Sequence, residues 1–249
     1  MERWRNRVAV VTGASSGIGA ACCKDLVAEG MIVVGLARRL SHMENILRPS
    51  LPVAQQSRFY ALKCDVSVEE DILNAFAWVD KKFGGVDVLI NNAGILRSTQ
   101  IVASNNSADL RATVDVNIMG VAMCAREAFQ SMKRRNVDGH IVNINSVAGH
   151  MVPQVLGITY NIYPATKHAV TAMSEVLRQE FLLNQTKIKV TSISPGVVDT
   201  EILGGKEILE ADLKTLSAEH VSDAVMYCIQ TPPNVQIKEL IIKPLGEKF

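Results

Sequence analysis

Runs of apolar residues with the length of β-strands alternate with helical patterns along nearly the whole chain. The pattern predicts strands over residues 7–11, 31–36, 58–64, 86–91, 140–145, 187–193 and 237–242. Helices are predicted up to residue 29 after the first strand, and then over residues 67–83, 108–134, 162–183 and 217–230. Because strands that alternate with helices form a parallel sheet covered on both faces, we predict one doubly wound α/β domain over residues 1–249, with a sheet of about seven strands.

Two local features add detail to this prediction. Ser67 is expected to cap the helix that follows it, since Glu70 lies three positions later. The least regular stretch, residues 201–216, follows the sixth strand and is predicted to be a substrate lid at the carboxyl end of the sheet.

Composition excludes several classes of protein. Hydrophobic residues make up 48% and charged residues 20% of the chain, which is enough for a substantial core and excludes disorder. The net charge of +1 and the aromatic content of 5% argue against a nucleic-acid partner. Residues 139–166 include no Asp, Glu, Lys or Arg, but glycine and proline interrupt this run, so we expect no membrane span.

The cysteines and histidines indicate neither a disulfide framework nor a metal site. The five cysteines include one adjacent pair and no CxxC motif, and we interpret them as reduced thiols packed in the core. The start of the chain lacks the apolar region of a signal peptide, so we expect a cytoplasmic protein. The five histidines do not show metal-ligand spacing.

A glycine-rich segment, Thr-Gly-Ala-Ser-Ser-Gly-Ile-Gly, directly follows the first strand. Its glycines permit a tight turn and a close approach to phosphate, and the helix that follows offers free N–H groups to a pyrophosphate. The spacing is a variant of the dinucleotide fingerprint, and an ordinary glycine-rich turn is the alternative. The predicted cofactor contacts are Gly13, Ser15, Ser16, Gly17, Ile18 and Gly19.

The residues after the second and third strands bear on the identity of the cofactor. NAD binding calls for a carboxylate at the end of the second strand, but Arg38 and Arg39 stand there. Two guanidinium groups suit the 2′-phosphate of NADP, and two solvated surface arginines are the alternative. After the third strand, Asp65 and Val66 are predicted to contact the adenine; a simple acidic residue before a helix would explain Asp65 equally well.

Tyr163 and Lys167 lie four positions apart on a predicted helix and therefore share one face. An ammonium group nearby is expected to lower the pKa of the phenol, so that it can exchange a proton near neutral pH. Ser146 follows the fifth strand at the ligand-binding edge of the sheet and is expected to hold the substrate oxygen. Asn117, on the long preceding helix, is a fourth candidate.

The walls of this site are predicted to be uncharged. Asn92, Ala93 and Gly94 follow the fourth strand and would line the cofactor pocket, unless they form only a strand-ending turn. The run over residues 139–166 would admit an apolar substrate beside the nicotinamide, although part of it is core strand.

Taken in order, these motifs and the Ser194-Pro195-Gly196 turn resemble the short-chain dehydrogenase/reductase family over almost the whole chain. The resemblance implies a Rossmann fold with Tyr163 as general acid/base. It implies that Lys167 binds the nicotinamide ribose and lowers the pKa of Tyr163. Ser146 would hold the substrate oxygen, and Asn117 would hold a relay water. It also implies that Pro195, Gly196, Val198 and Thr200 lie at the nicotinamide. A homodimer or homotetramer, built through the helices that carry Asn117 and Tyr163, is expected by the same resemblance.

Within this family, residues 163–181 and 194–201 are similar to the insect farnesol dehydrogenases and the vertebrate dehydrogenase/reductase member 11 group. This similarity implies an NADP-dependent alcohol dehydrogenase/carbonyl reductase for an apolar alcohol such as farnesol. A steroid or broad-specificity carbonyl reductase is one alternative. A catalytically silent NADP(H)-binding sensor and a methyltransferase on a related sheet are the alternatives of other classes.

One departure from the family pattern concerns the start of the catalytic helix. Pro164 directly follows Tyr163, and proline is tolerated only in the first turn of a helix. We therefore expect the helix to begin near Asn161, with Tyr163 inside its first turn.

Overall fold

The computed structural model describes residues 1–154, 159–202 and 214–247. Seven parallel strands form one sheet in the order β3-β2-β1-β4-β5-β6-β7, which confirms the predicted fold class. The strands are β1 Val8–Thr12, β2 Ile32–Ala37, β3 Phe59–Lys63, β4 Val88–Asn91, β5 His140–Ile144, β6 Lys189–Pro195 and β7 Glu239–Ile242.

Within the described residues, six longer helices connect these strands. They are α1 Gly17–Ala28, α2 Glu69–Phe83, α3 Ser107–Val114, α4 Val121–Arg134, α5 Tyr163–Leu183 and α6 Ala218–Ile229. Short helical turns occur at Glu2–Trp4, Leu40–His42, Met43–Leu47, Arg48–Ser50, Val53–Arg58 and Val147–Gly149. No helix in the described part of the chain is long and apolar enough to cross a membrane.

The sheet buries side chains on both faces. Ala9 and Val11 of β1 belong to the core under α1 and α6, whereas Val8 and Val10 belong to the core on the opposite face, with side chains of α2 and α4. Successive residues of a strand point to opposite faces, so a strand covered on both sides has no polar alternation. This explains why the strands read as continuous apolar runs. All five cysteines are buried free thiols, as predicted.

The strand order reverses direction between β1 and β4. From β1 the chain proceeds outward to β2 and β3, and then returns to pair β4 with the other side of β1. In an open parallel sheet, this reversal leaves a crevice beyond the carboxyl ends of the strands, where ligands bind. The residues that follow β1, β4 and β5 therefore meet at one edge.

The predicted capping role of Ser67 is wrong. The helix begins at Glu69, and its N-cap, Val68, makes no side-chain capping bond. The Ser67 hydroxyl instead donates to Oδ1 of Asp65 at 2.7 Å, and the Ser67 N–H donates to the same oxygen at 3.0 Å. Ser67 therefore lies one residue before the N-cap position, and its hydroxyl bonds Asp65 instead of the helix.

The single helix predicted over residues 108–134 is divided into α3 and α4 by a π-turn, Asp115–Gly120. The helix predicted to begin near Asn161 begins at Tyr163, with Pro164 in its first turn. Asn161 adopts a left-handed conformation with φ of 49° and cannot continue a helix. Tyr163 nevertheless lies in the first turn, as predicted.

Most of the predicted lid, residues 203–213, lies outside the described residues. At its two ends, Val198 pairs with Leu216 in an isolated parallel bridge. The N–H of Asp199 donates to the Leu216 carbonyl at 2.9 Å, and the N–H of Leu216 donates to the Val197 carbonyl at 2.8 Å. The two ends of the segment therefore meet beside the carboxyl end of β6.

Candidate active site

A cleft of about 480 Å³ lies at the carboxyl edge of the sheet. All the predicted site residues line it except Gly19 and Asn117, which lie beneath its surface. Segments that are far apart in the sequence supply the lining because each follows a strand that ends at this edge. No group of three metal-ligating side chains occurs among the described residues.

The glycine-rich turn at one side of the cleft fits a dinucleotide. Gly13 and Gly17 have φ of +66° and +53°, values that glycine adopts without strain. A Cβ at Gly19 would lie 2.4 Å from the Gly13 carbonyl oxygen, so only glycine permits this packing. Ser16, the N-cap of α1, makes no side-chain capping bond, and the first N–H groups of α1 remain available to an anion.

Thr12 is a structural residue of the site that the sequence reasoning missed. Its Oγ1 accepts hydrogen bonds from the N–H groups of Asn92 and Ala93, each at 3.0 Å. The Asn92 side chain donates in return to the carbonyls of Thr12, at 3.0 Å, and Gly13, at 3.2 Å. These bonds fasten the end of β4 to the glycine-rich turn. A hydroxyl residue immediately before the first glycine was the available signal.

Arg39 extends over the glycine-rich turn. Its Nη2 donates to the Ser16 hydroxyl at 2.7 Å and to the Ser15 hydroxyl at 3.1 Å. The same nitrogen lies 2.8 Å from Oε2 of Glu201, a residue that was not among the predicted site residues. Arg38 is less constrained, since its side chain is 62% exposed and its Nη1 lies 4.0 Å from Asp65. The Arg39 guanidinium and the Ser16 hydroxyl thus both donate to one carboxylate oxygen of Glu201.

At the other end of the cleft, the first turn of α5 brings Tyr163 and Lys167 together. The Lys167 nitrogen lies 5.6 Å from the centre of the Tyr163 ring and donates to the Ile144 carbonyl at 2.9 Å. The Ser146 oxygen accepts from the Ala148 N–H at 3.0 Å, and the Ser146 side chain also bonds the Tyr163 side chain. Because the Ser146 oxygen accepts this backbone bond, its O–H can donate to the Tyr163 oxygen in the cleft.

The prediction that the pKa of Tyr163 is lowered is wrong for this structure, because burial affects it more than any neighbouring group does. Burial raises the pKa of Tyr163 to about 12, and the hydrogen bond from Ser146 offsets only part of that increase. Burial also lowers the pKa of Lys167 to about 8. The ammonium donates to the Ile144 carbonyl and lies over the Tyr163 ring, and it is not among the groups that shift the pKa of Tyr163. The phenol is therefore protonated at neutral pH, and the lysine is charged.

Asn117 lies in the π-turn and is 1% exposed. Its Oδ1 accepts from the Ile95 N–H at 2.9 Å, and its Nδ2 donates to the Ile95 carbonyl at 2.9 Å and to the Thr166 hydroxyl at 3.1 Å. Both amide hydrogens are thus used within the protein. The residue links the turn after β4 to α5, which carries Tyr163.

The cleft also has apolar lining residues outside the predicted set. Ile95, Leu96, Pro153 and Ile202 line it. Tyr160 also lines it, and its main-chain carbonyl accepts from the Tyr163 N–H at 3.0 Å. A second phenol therefore lines the cleft that holds Tyr163. Tyr160 has no lysine four residues later, because Pro164 occupies that position.

The chain is similar to known proteins in sequence and in fold. The model of a family described as short chain dehydrogenase matches residues 7–208. A farnesol dehydrogenase of Aedes aegypti is 57% identical over 252 residues, covering 100% of both chains. Dehydrogenase/reductase SDR family member 11 of Mus musculus is 44% identical, over 98% of this chain and 96% of the relative. The structure of a serine dehydrogenase in closed form with NADP+ has a TM-score of 0.84 and 27% identity, over 97% of this chain and 96% of that one.

Proposed function

The chain belongs to the short-chain dehydrogenase family, and from this premise we propose that it transfers hydride between NADP(H) and an apolar alcohol or carbonyl, with farnesol as the expected substrate. That it is an oxidoreductase using a nicotinamide cofactor follows from the family and from its structural neighbours. One observation carries the proposal. Tyr163, Lys167 and Ser146 line the same cleft as the glycine-rich turn.

Bound NADP(H) supplies the hydride acceptor or donor at its nicotinamide ring. We assign the adenosine end to Arg38, Arg39, Asp65 and Val66, and the pyrophosphate to the glycine-rich turn and the start of α1. At the nicotinamide end we assign Asn92, Ala93, Gly94, Pro195, Gly196, Val198 and Thr200, with Lys167 at the ribose.

The protein itself controls the proton. In carbonyl reduction, the Tyr163 hydroxyl donates its proton to the substrate oxygen, and the Ser146 O–H holds that oxygen in place. In alcohol oxidation, the Tyr163 phenolate accepts the proton from the substrate hydroxyl. We expect the charged Lys167, whose nitrogen lies 5.6 Å from the centre of the Tyr163 ring, to favour the phenolate when the phenol ionises.

Asn117 is proposed to serve the relay that returns the proton to solvent. Because both amide hydrogens are used, a water would be held through an oxygen of the residue, either the second lone pair of Oδ1 or the main-chain carbonyl. Its other contribution is positional, since its bond to Thr166 fixes the first turn of α5.

The apolar part of the cleft supports an apolar substrate. Hydrocarbon surface in the cleft that holds Tyr163 is supplied by Ile95, Leu96, Pro153 and Ile202. The relative from Aedes aegypti, which matches this chain over its full length, is named for farnesol. A long isoprenoid alcohol would place its hydroxyl at Tyr163 and its chain along this surface.

The preference for NADP over NAD rests on the two arginines. We expect Arg39→Ala to raise the Michaelis constant for NADP about tenfold or more while changing that for NAD less than twofold, since charge-assisted bonds to a phosphate are lost. Arg38→Ala should also raise the Michaelis constant for NADP, but by a smaller factor, because this side chain is more exposed. Steady-state kinetics with each dinucleotide at saturating alcohol measures both.

The matched control for this pair is Arg111→Ala, since Arg111 is exposed on α3. It should leave both Michaelis constants unchanged. Equal increases for NADP and NAD in the Arg39 variant would reject the assignment of a 2′-phosphate site.

We also propose a homodimer or homotetramer through the helices that carry Asn117 and Tyr163. Large apolar side chains on this surface are exposed, among them Met119, Val176 and Leu182, at 47%, 50% and 60%. Burying such side chains in a subunit interface stabilises an oligomer.

The substrate class is tested by a turnover panel of farnesol, geraniol, a steroid alcohol, retinol and a small sugar, each with NADP and NAD. We expect farnesol and geraniol with NADP to give the highest kcat/KM. Turnover of the steroid alone would favour a steroid reductase. Binding of NADPH without turnover of any alcohol or its aldehyde would favour a silent sensor.

A further inference from the structure

The guanidinium of Arg39 already holds an anion, the side chain of Glu201. Oε2 of Glu201 lies 2.8 Å from Nη2 of Arg39 and accepts a hydrogen bond from the Ser16 hydroxyl at 3.0 Å. The Ser16 hydroxyl in turn accepts from Arg39, and Ser15 accepts from Nε of the same arginine at 3.2 Å. One carboxylate oxygen therefore occupies a cradle of a guanidinium and a hydroxyl.

A phosphate monoester binds the same kinds of donor, a guanidinium and a hydroxyl. Guanidinium groups bind carboxylate and phosphate through the same geometry, and hydroxyl donors serve either anion. Among the donors around Glu201, the guanidinium N–H groups of Arg39 are those that the proposed function assigns to the 2′-phosphate of NADP. NAD, which has a 2′-hydroxyl there, has no group that needs them.

We infer that Glu201 is an internal competitor for the 2′-phosphate and so determines how strongly the chain prefers NADP to NAD. The inference deepens the proposed function and rests on it. A phosphate monoester carries about −1.5 to −2 charge near pH 7, so it repels the Glu201 carboxylate and must displace it from Arg39. Because the side chains of Arg39 and Glu201 are 42% and 60% exposed, breaking their ion pair weakens NADP binding only modestly.

In the chain, Glu201 also lies between a residue assigned to the nicotinamide and an apolar residue of the cleft lining. Glu201 directly follows Thr200, whose Cγ2 lies 3.0 Å from the position of a Cβ at Gly17. Glu201 precedes Ile202, an apolar residue of the cleft lining. Displacement of Glu201 by a phosphate therefore releases a restraint on residues that face the nicotinamide and the substrate. NADP and NAD would leave these residues in different positions.

The test uses Glu201→Gln and Glu201→Ala in the full chain, with Glu180→Gln as control. Glu180 is exposed near the far end of α5, about 25 Å along the helix from Tyr163. Dissociation constants are measured by fluorescence or calorimetry for NADPH, NADH, 2′,5′-ADP and 5′-AMP. We expect both Glu201 variants to bind NADPH and 2′,5′-ADP about three- to fivefold more tightly, with NADH, 5′-AMP and the control unchanged.

Three results would overturn the inference. Weaker NADPH binding in both variants would mean that Glu201 orients Arg39 for the phosphate. An equal gain for NADH would indicate a general charge effect, and no change would mean that no competition occurs. These results are separable from failure of the proposed function, which would appear in the wild-type protein as lack of alcohol turnover with either dinucleotide.

Discussion

Tyr163→Phe is expected to reduce turnover at least about 100-fold in both reaction directions while leaving the dissociation constant for NADPH within about threefold. The substitution removes only the phenolic oxygen that gives or takes the proton, and the ring that packs against Lys167 remains. Single-turnover kinetics and NADPH fluorescence titration measure the two quantities separately.

Tyr160→Phe is the matched control, because this second phenol lines the same cleft three residues earlier. We expect its turnover to fall less than about tenfold. Retention of more than a tenth of wild-type activity by the Tyr163 variant, together with loss in the Tyr160 variant, would transfer the acid/base role to Tyr160.

The pH dependence of the wild-type protein provides a second readout of Tyr163. Because its pKa is raised to about 12, the phenol form dominates across neutral pH. Carbonyl reduction uses the phenol and should vary little from pH 6 to 8. Alcohol oxidation uses the phenolate, and its rate should increase with pH over the same range. The Phe variant should lose this difference.

Lys167→Met is expected to reduce turnover about 100-fold or more and to weaken binding of the dinucleotide. The ammonium that favours the phenolate is lost, and so is the donor proposed for the nicotinamide ribose. Lys133→Met, an exposed substitution on α4, should leave both quantities unchanged. Near wild-type turnover in the Lys167 variant would exclude this role.

The same variant should show a different dependence of stability on pH. The pKa of Lys167 falls from 10.5 to about 8 on folding, so below pH 8 the folded protein bears the full cost of a buried charge. That cost is lifted as the pH rises from 8 to 10.5, because the folded state loses its proton first. Relative to Lys167→Met, the wild-type protein should therefore gain about 3 kcal/mol of unfolding free energy over this range. Denaturant unfolding at pH 7 and pH 10 measures the change, and a constant difference would show that the lysine is not buried as a cation.

The parallel sheet was predictable because its inner strands are covered on both faces. A strand such as Val8–Thr12 is buried at every position, so its apolar run is continuous and easy to recognise. The π-turn Asp115–Gly120 was not predictable, because one looser turn leaves the hydrophobic period of a long helix almost unchanged. The failure at Ser67 has a different cause, since the helix begins two residues later, at Glu69, and the Ser67 hydroxyl bonds Asp65.

The meeting of the candidate residues in one cleft was predictable where a residue type follows a strand end. Gly13, Ser146 and Arg39 all do so, and parallel strands bring such residues to one edge. The contacts of Thr12 with Asn92 and of Arg39 with Glu201 join positions far apart in the chain, and no local pattern encodes them. The pKa of Tyr163 depends on how deeply its ring is buried, which spacing from Lys167 does not reveal.

The central claim, hydride transfer to NADP with the proton taken by Tyr163, is tested most directly with farnesol deuterated at the carbinol carbon. Wild-type protein and Tyr163→Phe are each incubated with NADP+, and the reduced dinucleotide is analysed by mass spectrometry. We predict that the wild-type protein gives NADPH carrying one deuterium, with stoichiometric farnesal, and that the variant gives less than about a hundredth of that rate. Unlabelled NADPH, or equal labelling rates in the two proteins, would contradict the claim.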